Sequence, residues 1–215
     1  MNQDAPILEF DPEPRAILNP PTQSDAQFPQ RVVACFFQDV LDALIAEGRL
    51  TRRGALRSEM GEHVLYELAG TAQPQLVFHP GVGAPLAAGL LEEVIGLGGR
   101  YFIACGGAGV LNHHQEVGSV HVIAAAVRDE GTSYHYLPPA RRVQASPRPM
   151  QALLDVLEAH HLPHELVTSW TTDAIYRETN ARRALRLAEE CQVVEMEAAA
   201  FFAVAQFRGV EFGQM

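Results

Sequence analysis

The sequence predicts an α/β fold with a mixed, largely parallel central sheet flanked by helices, and three observations carry that prediction. Apolar runs of strand length alternate with segments of helical periodicity through most of the chain. Glycine-bearing turns follow two of those runs, at 81–83 and 105–109. A last apolar run, 191–194, passes directly into a helix-forming stretch over 198–208. Strands alternating with helices in this way build parallel sheets covered on both faces.

Each element has its own justification. Residues 1–30 carry Pro6, Pro12, Pro14, Pro20, Pro21 and Pro29, which exclude a long helix. They read as an extended arm laid over the domain or a neighbouring subunit, with plain disorder as the alternative for the outer part. The domain proper is 31–215. Residues 31–37 are continuously apolar, the pattern of a buried strand. Over 38–47, Val40, Leu41, Leu44 and Ile45 share one helical face, and Gly48 ends the helix. Arg49, Arg52, Arg53 and Arg57 then read as a basic connector. Two strands, 64–68 and 75–78, flank a turn at 69–74.

The second of these strands enters His79-Pro80-Gly81-Val82-Gly83-Ala84-Pro85, followed by a helix through Leu97. A strand, a glycine turn and a helix N-terminus form a cradle for an anion or ligand. Close helix packing alone also demands such glycines. The strand at 100–105 ends in a loop with Gly106, Gly107 and Gly109, where backbone amides can approach a ligand closely. Strand-like residues 117–128 lead to a polar turn. The helix at 149–161 turns Leu153, Leu154 and Leu157 inward. His160, His161 and His164 near its end are split by Pro163 and lack an acid to complete a metal site, so they read as solvated helix-end groups. A strand at 165–170 delivers the loop 171–179, where Asp173 is placed to accept backbone N–H bonds. Finally, Glu195 and Glu197 flank Met196 at a strand-to-helix junction. Two first-turn acids can serve only the helix dipole, or they can hold a ligand.

Composition narrows the function. With 215 residues, 47% hydrophobic and 20% charged, the chain fits one globular domain with a sizeable core. A formal charge of -10 argues against nucleic acid as partner, since phosphate contacts need basic surface. No apolar run approaches a membrane span, and the acidic, Pro-bearing start is not a signal peptide. Cys35, Cys105 and Cys191 lie in apolar runs without a CxxC pair. That suggests reduced thiols in a cytoplasmic protein and no structural zinc.

Four ordered segments together resemble the nucleoside phosphorylase family, the branch of uridine phosphorylase, bacterial purine nucleoside phosphorylase and methylthioadenosine nucleosidase. They are the Gly81–Pro85 turn with Glu93, the 105–109 loop, the 171–176 loop and Glu195-Met196-Glu197. The run from Arg128 to Tyr136 looks like the Arg-x-Asp-Gly-x-Ser-x-His-Tyr segment of uridine-phosphorylase-type members. The resemblance implies the three-layer nucleoside phosphorylase fold, with ligands gathered beside the strand C-termini. It implies that Met196 packs against a sugar and that Glu197, the catalytic candidate, grips its hydroxyls. Ala108, Gly109, Ile175, Tyr176 and Glu195 would then face the base, and Gly81, Gly83, Gly106 and Gly107 the phosphate or nucleophile. It further implies no metal or organic cofactor, inorganic phosphate as co-substrate, a small-molecule nucleoside as ligand, and a homo-oligomer, dimer or hexamer.

The chain departs from the family pattern in places. Leu86 stands where the family has serine. Gln38-Asp39-Val40 replaces its Gly-Asp-Pro-x-Arg turn, and a second phosphate arginine falls on or near Ala104. Arg52, Arg53 or Arg128 are the candidates to replace the missing cations, some from a neighbouring subunit. The leading expectation is phosphorolysis of a ribonucleoside to base and ribose 1-phosphate. The alternatives are hydrolysis on the same scaffold, or nucleoside binding without turnover. The resemblance also leads to the expectation that 31–215 lacks the family's C-terminal strand and helix, with the leaving-group acid beyond Met215.

Overall fold

The computed structural model describes residues 5–20 and 28–215. Residues 1–4 and 21–27 of the expected arm, Pro21 among them, lie outside the described residues. In chain order the domain runs β1 (Arg31–Cys35), α1 (Gln38–Ala46), β2 (Leu50–Ser58), β3 (Gly61–Leu68), β4 (Gln75–Phe78), α2 (Ala84–Gly96), β5 (Tyr101–Cys105) and β6 (Gly109–Val110). It continues through β7 (Val120–Asp129), β8 (Arg142–Gln144), α3 (Pro147–Ala159), β9 (His164–Thr172), α4 (Asn180–Ala188), β10 (Cys191–Glu195), α5 (Ala198–Arg208) and β11 (Glu211–Gln214).

The strands form a mixed α/β core divided into two hydrogen-bonded sheets. One has six strands in the order β11-β5-β1-β4-β3-β2, the other five in the order β6-β10-β9-β7-β8. The strands β11, β5, β1 and β4 pair in parallel, as do β10, β9 and β7. Antiparallel pairs are confined to the outer strands. The parallel strands are the continuous apolar runs of the sequence, as burial on both faces requires.

Helix α5 sits in the core. All of 198–205 is buried, so an Ala-rich helix apolar on every side ends up enclosed on every side. Its Phe201 ring stacks on Phe212 of β11 at 4.5 Å, and Phe212 stacks on Phe102 of β5 at 5.8 Å. Gly209 stops the helix in the left-handed region, at φ 66°. Leu90, Leu91 and Val94 of α2 join the same apolar cluster.

The basic connector expected at 49–57 is instead strand β2, paired along its length with β3. Its arginines lie along the exposed ladder, where Arg52 and Arg57 both reach Glu62 and Arg53 faces Glu67. Cross-strand charge pairs thus replace the apolar alternation that would have marked a strand. Helix α4 and the short β8 were not anticipated either; α4 is largely polar and is capped by Thr179, whose hydroxyl accepts from the Arg182 N–H. Within the arm, Pro6–Leu8 is a single 3-10 turn, and the Pro14 carbonyl accepts from Arg208 Nη1 at 2.6 Å. Arg208 also forks onto Glu92 of α2 at 2.8–3.0 Å. The three cysteines are free thiols.

Candidate active site

The glycine turn at Gly83 and the start of the 171–179 loop meet the β10–α5 junction at the N-terminus of α5. The chain leaves β10 at Glu195 and enters α5 at Ala198, so the two glutamates lie on either side of a sharp change of direction. They end in different surroundings.

Glu195 is 7% exposed and fully occupied by the protein. Its Oε2 accepts from the backbone N–H of Glu197 at 2.7 Å and of Ala198 at 2.6 Å, two of the free donors at the start of α5. Its Oε1 accepts from the Ser169 hydroxyl and, at 2.6 Å, from the Thr171 hydroxyl. Thr171 Oγ1 in turn accepts from Ala199 N–H at 3.0 Å. Ser169 and Thr171 are two residues apart on β9 and so share a face. Motif reading passed over both, because Thr168 and Thr172 beside them make the hydroxyls of β9 look alike. For Glu195 the helix-dipole reading describes the geometry.

Glu197 is 6% exposed and turns the other way. Its Oε1 accepts from the Gly83 N–H at 2.5 Å, joining the junction to the glycine turn ahead of α2. Burial is the main cause that pushes its carboxyl up to about 7; neighbouring Glu195 adds to this and the Gly83 amide opposes it. Met196, between the two acids, is half-buried. The glycine turn is itself anchored by His79, another residue that motif reading passed over. Gly81 N–H donates to His79 Nδ1 at 3.0 Å, which leaves the ring proton on Nε2, facing the Phe36 carbonyl at 3.2 Å.

Gly81 is needed for two reasons. Its φ is +76°, and a Cβ there would lie 2.4 Å from Leu86 Cδ2. Leu86 is the residue that stands in the family's serine position. Gly81→Ala is expected to cost about 2 kcal/mol, a fall in Tm of roughly 4–8 °C. In a Leu86→Ala background the same change should cost only about 1 kcal/mol, the backbone part alone. Equal costs in both backgrounds would remove the steric half of this account.

The 105–109 loop lies on the β10 side of the junction. Gly109 pairs with Val194, and Gly106 N–H donates to the Met215 carbonyl at 3.2 Å. Beside it is a cavity of about 710 Å3 whose lining includes Gly106, Gly107, Ala108, Glu195, Phe37 and Gln214. Gly81, Gly83 and Glu197 do not line it, and neither do Ile175 and Tyr176. The last two sit on the 3-10 turn Ile175–Arg177, 55% and 95% exposed. Asp173, just ahead of that turn, accepts from Gly131 N–H at 2.8 Å and fastens the 171–179 loop to the end of β7.

No lysine or arginine lines the 710 Å3 cavity. Arg128, a candidate replacement cation, is committed elsewhere. Its Nε donates to Ser133 Oγ and its two terminal nitrogens to the carbonyls of Pro138 and Leu137, at 2.8–3.1 Å. It is 4% exposed and packed over the Tyr134 ring, so it is a structural clamp on the turn after β7 and cannot reach a phosphate. Arg52 and Arg53 sit on β2 at the far edge of the six-stranded sheet. Among the described residues, no group of three or more His, Cys, Asp and Glu side chains is arranged to hold a metal ion.

Comparison with known proteins bears on the family and the fold. The family model described as the phosphorylase superfamily matches residues 21–215. Guanosine phosphorylase of Halorubrum lacusprofundi is 29% identical over 133 residues, 62% of this chain and 55% of that protein. Uridine phosphorylase of Thermococcus kodakarensis is 28% identical over 153 residues, 65% of this chain and 55% of that one. The match to uridine phosphorylase of Haemophilus influenzae is 39% identical over 66 residues, 31% of this chain and 26% of that protein. The chain thus spans from about a quarter to just over half the length of these relatives. Among solved structures, uridine phosphorylase from Vibrio fischeri ES114 superimposes with a TM-score of 0.76 at 22% identity, covering 87% of this chain and 76% of that one. AMP nucleosidase from Bacteroides thetaiotaomicron reaches 0.76 at 19% identity, over 87% of this chain and 79% of that one. With a family match over most of its length and the same α/β fold, the chain belongs to the phosphorylase superfamily.

Proposed function

We propose that this protein cleaves the N-glycosidic bond of a ribonucleoside and transfers the ribosyl group to phosphate, releasing the base and ribose 1-phosphate. The observation that carries the reading is the Glu197 carboxylate, buried where β10 meets α5 and tied to the Gly83 amide. Bond cleavage builds positive charge on the sugar and negative charge on the departing base. An ionised Glu197 would position the sugar through its hydroxyls and offset the positive charge from a site with little water. Oε1 is steadied by Gly83, which leaves Oε2 to meet a hydroxyl. Met196 gives the sugar an apolar wall. The amide of Gly107 is a donor for the attacking anion, while that of Gly106 is held by the Met215 carbonyl. No organic cofactor or metal enters this chemistry. The relatives named above are phosphorylases of uridine and guanosine, so these two nucleosides are the first to try.

One observation favours a second acceptor. Without a cation in the 710 Å3 cavity, a phosphate dianion would lack charge-assisted hydrogen bonds of about 1.5–3 kcal/mol each. Water needs none of them, so hydrolysis to free ribose is the competing reading. A nucleoside panel incubated with and without phosphate separates the two. Phosphorolysis requires ribose 1-phosphate and a rate that falls to background when phosphate is removed. Free ribose at an unchanged rate in phosphate-free buffer would replace phosphate with water as the acceptor. Tight nucleoside binding with neither product would make the protein a binder.

A further inference from the structure

The ends of the strands opposite the glycine turns carry a second concave site. Gln75, Arg31, Tyr101 and Glu211 are the first residues of β4, β1, β5 and β11, and the parallel registers place them in one row across four adjacent strands. Residues in register on parallel strands share a face, so all four belong to the same face of the six-stranded sheet. Helix α3 crosses that face at the edge strand. It approaches so closely that a Cβ on Gly213 would meet Pro149 Cβ at 3.1 Å. Helix α1 covers the far half, where Leu41 packs with Cys35 and Val77. Between the two helices lies a cavity of about 520 Å3, floored by Val33 and Ile103 and rimmed by the polar row together with Arg148 of α3.

Among the described residues its polar groups are uncompensated. The Arg148 guanidinium lies 5.2 Å from the Tyr101 ring centre, and neither Arg148 nor Arg31 makes an ion pair among the described residues. Oε2 of Glu211 is buried and has no hydrogen-bond partner among them. In a chain of net charge -10, two free arginines beside an aromatic ring form a local exception. A buried carboxylate oxygen without a donor is costly unless something supplies one.

We infer that this cavity binds a planar heterocycle bearing a phosphate, a molecule of nucleoside monophosphate size, at a site separate from Glu197. The anion would sit between Arg31 and Arg148, which can take phosphate oxygens in fork geometry. The ring would lie on Tyr101, and Glu211 would turn its carboxylate toward a ring N–H or amino group. Glu211 and Arg31 are two strand spacings apart, roughly 9–10 Å, which a ring joined to a phosphate through a sugar can span. The volume falls within the usual range of small-molecule sites, about 300–1,000 Å3.

The test is calorimetric titration with adenosine 5′-monophosphate at low salt, in a Glu197→Gln background that slows any turnover. Saturable binding at one molecule per chain is expected. Arg148→Ala and Arg31→Ala should each weaken it tenfold or more. Both side chains are exposed, so unchanged melting curves will separate lost binding from lost fold. Adenosine, with the ring alone, and ribose 5-phosphate, with the phosphate alone, should each bind at least tenfold more weakly. An isotherm unaffected by both arginine substitutions, ribose 5-phosphate matching the monophosphate, or no binding at all would overturn the inference. None of these outcomes bears on whether Glu197 holds a sugar.

Discussion

Glu197→Gln is expected to lower kcat/KM for nucleoside cleavage by about 10²–10³-fold, the scale on which single electrostatic contacts to a transition state act. The substitution keeps an oxygen that can accept from Gly83 N–H, removes the charge and turns the second acceptor into a donor. A loss confined to KM would mean that the carboxylate merely binds the sugar. A change of less than about threefold would remove it from the chemistry altogether. The same variant has a second readout. A carboxyl whose folded pKa stands at about 7, above the value of 4.5 it starts from, favours the native state less once it must ionise. Its contribution is fully present below pH 4.5 and is lost as pH rises through 7. A rise of about 2.5 pH units corresponds to roughly 3 kcal/mol. The wild type should therefore lose about that much stability relative to the glutamine variant between pH 4.5 and 8. Activity, which needs the ionised form, should rise through pH 7 over the same span. Parallel melting curves for the two proteins across that interval would show that the carboxyl is not titrating in a buried site.

Arg186→Ala should be strongly destabilising, at about 2–4 kcal/mol and a fall in Tm of roughly 4–16 °C. Arg186 projects from α4 and is 4% exposed. It donates to Asp129 Oδ2 at 2.9 Å and to Glu189 Oε2 at 2.6 Å, and its guanidinium lies over the Trp170 ring. Burial works against its charge, but these two carboxylates outweigh burial and hold its pKa above the ordinary arginine value. Trp170 Nε1 shares the same Asp129 oxygen. Deleting the guanidinium removes the group that joins the two acids, leaving Asp129 to Trp170 and the longer Arg182 pair, and Glu189 to Arg141. Arg186→Lys keeps the charge without the fork and should fall between wild type and alanine. A loss under 2 °C for the alanine variant would show that the pair is weak and water-screened.

Much of the fold was legible because local signals and packing agree. The boundaries of α5 were readable, since its helix formers end at a glycine that takes the left-handed conformation. β4 was readable for a similar reason, as a short apolar run between a turn and a glycine loop. β2 was hidden because it is held by a ladder and by Arg–Glu pairs across it, and neither leaves a hydrophobic period. The site was legible as a set of segments but not as a geometry. Two acids two residues apart would share a face on a continuing strand. The chain turns into a helix between them, so Glu195 caps that helix and Glu197 faces the glycine turn. Similarly, Arg128 read as a free cation because its three acceptors come from a turn five to ten residues downstream, and no motif encodes them.

The Gly83–Glu197 contact has a bearing on how the molecule matures. Its partners are 114 residues apart, and each follows a strand of a different sheet. A nascent polypeptide that has assembled only its first half therefore holds only half of the proposed sugar site. Competence would arrive in one late docking event, and exchange of the Gly83 amide proton with solvent would time it.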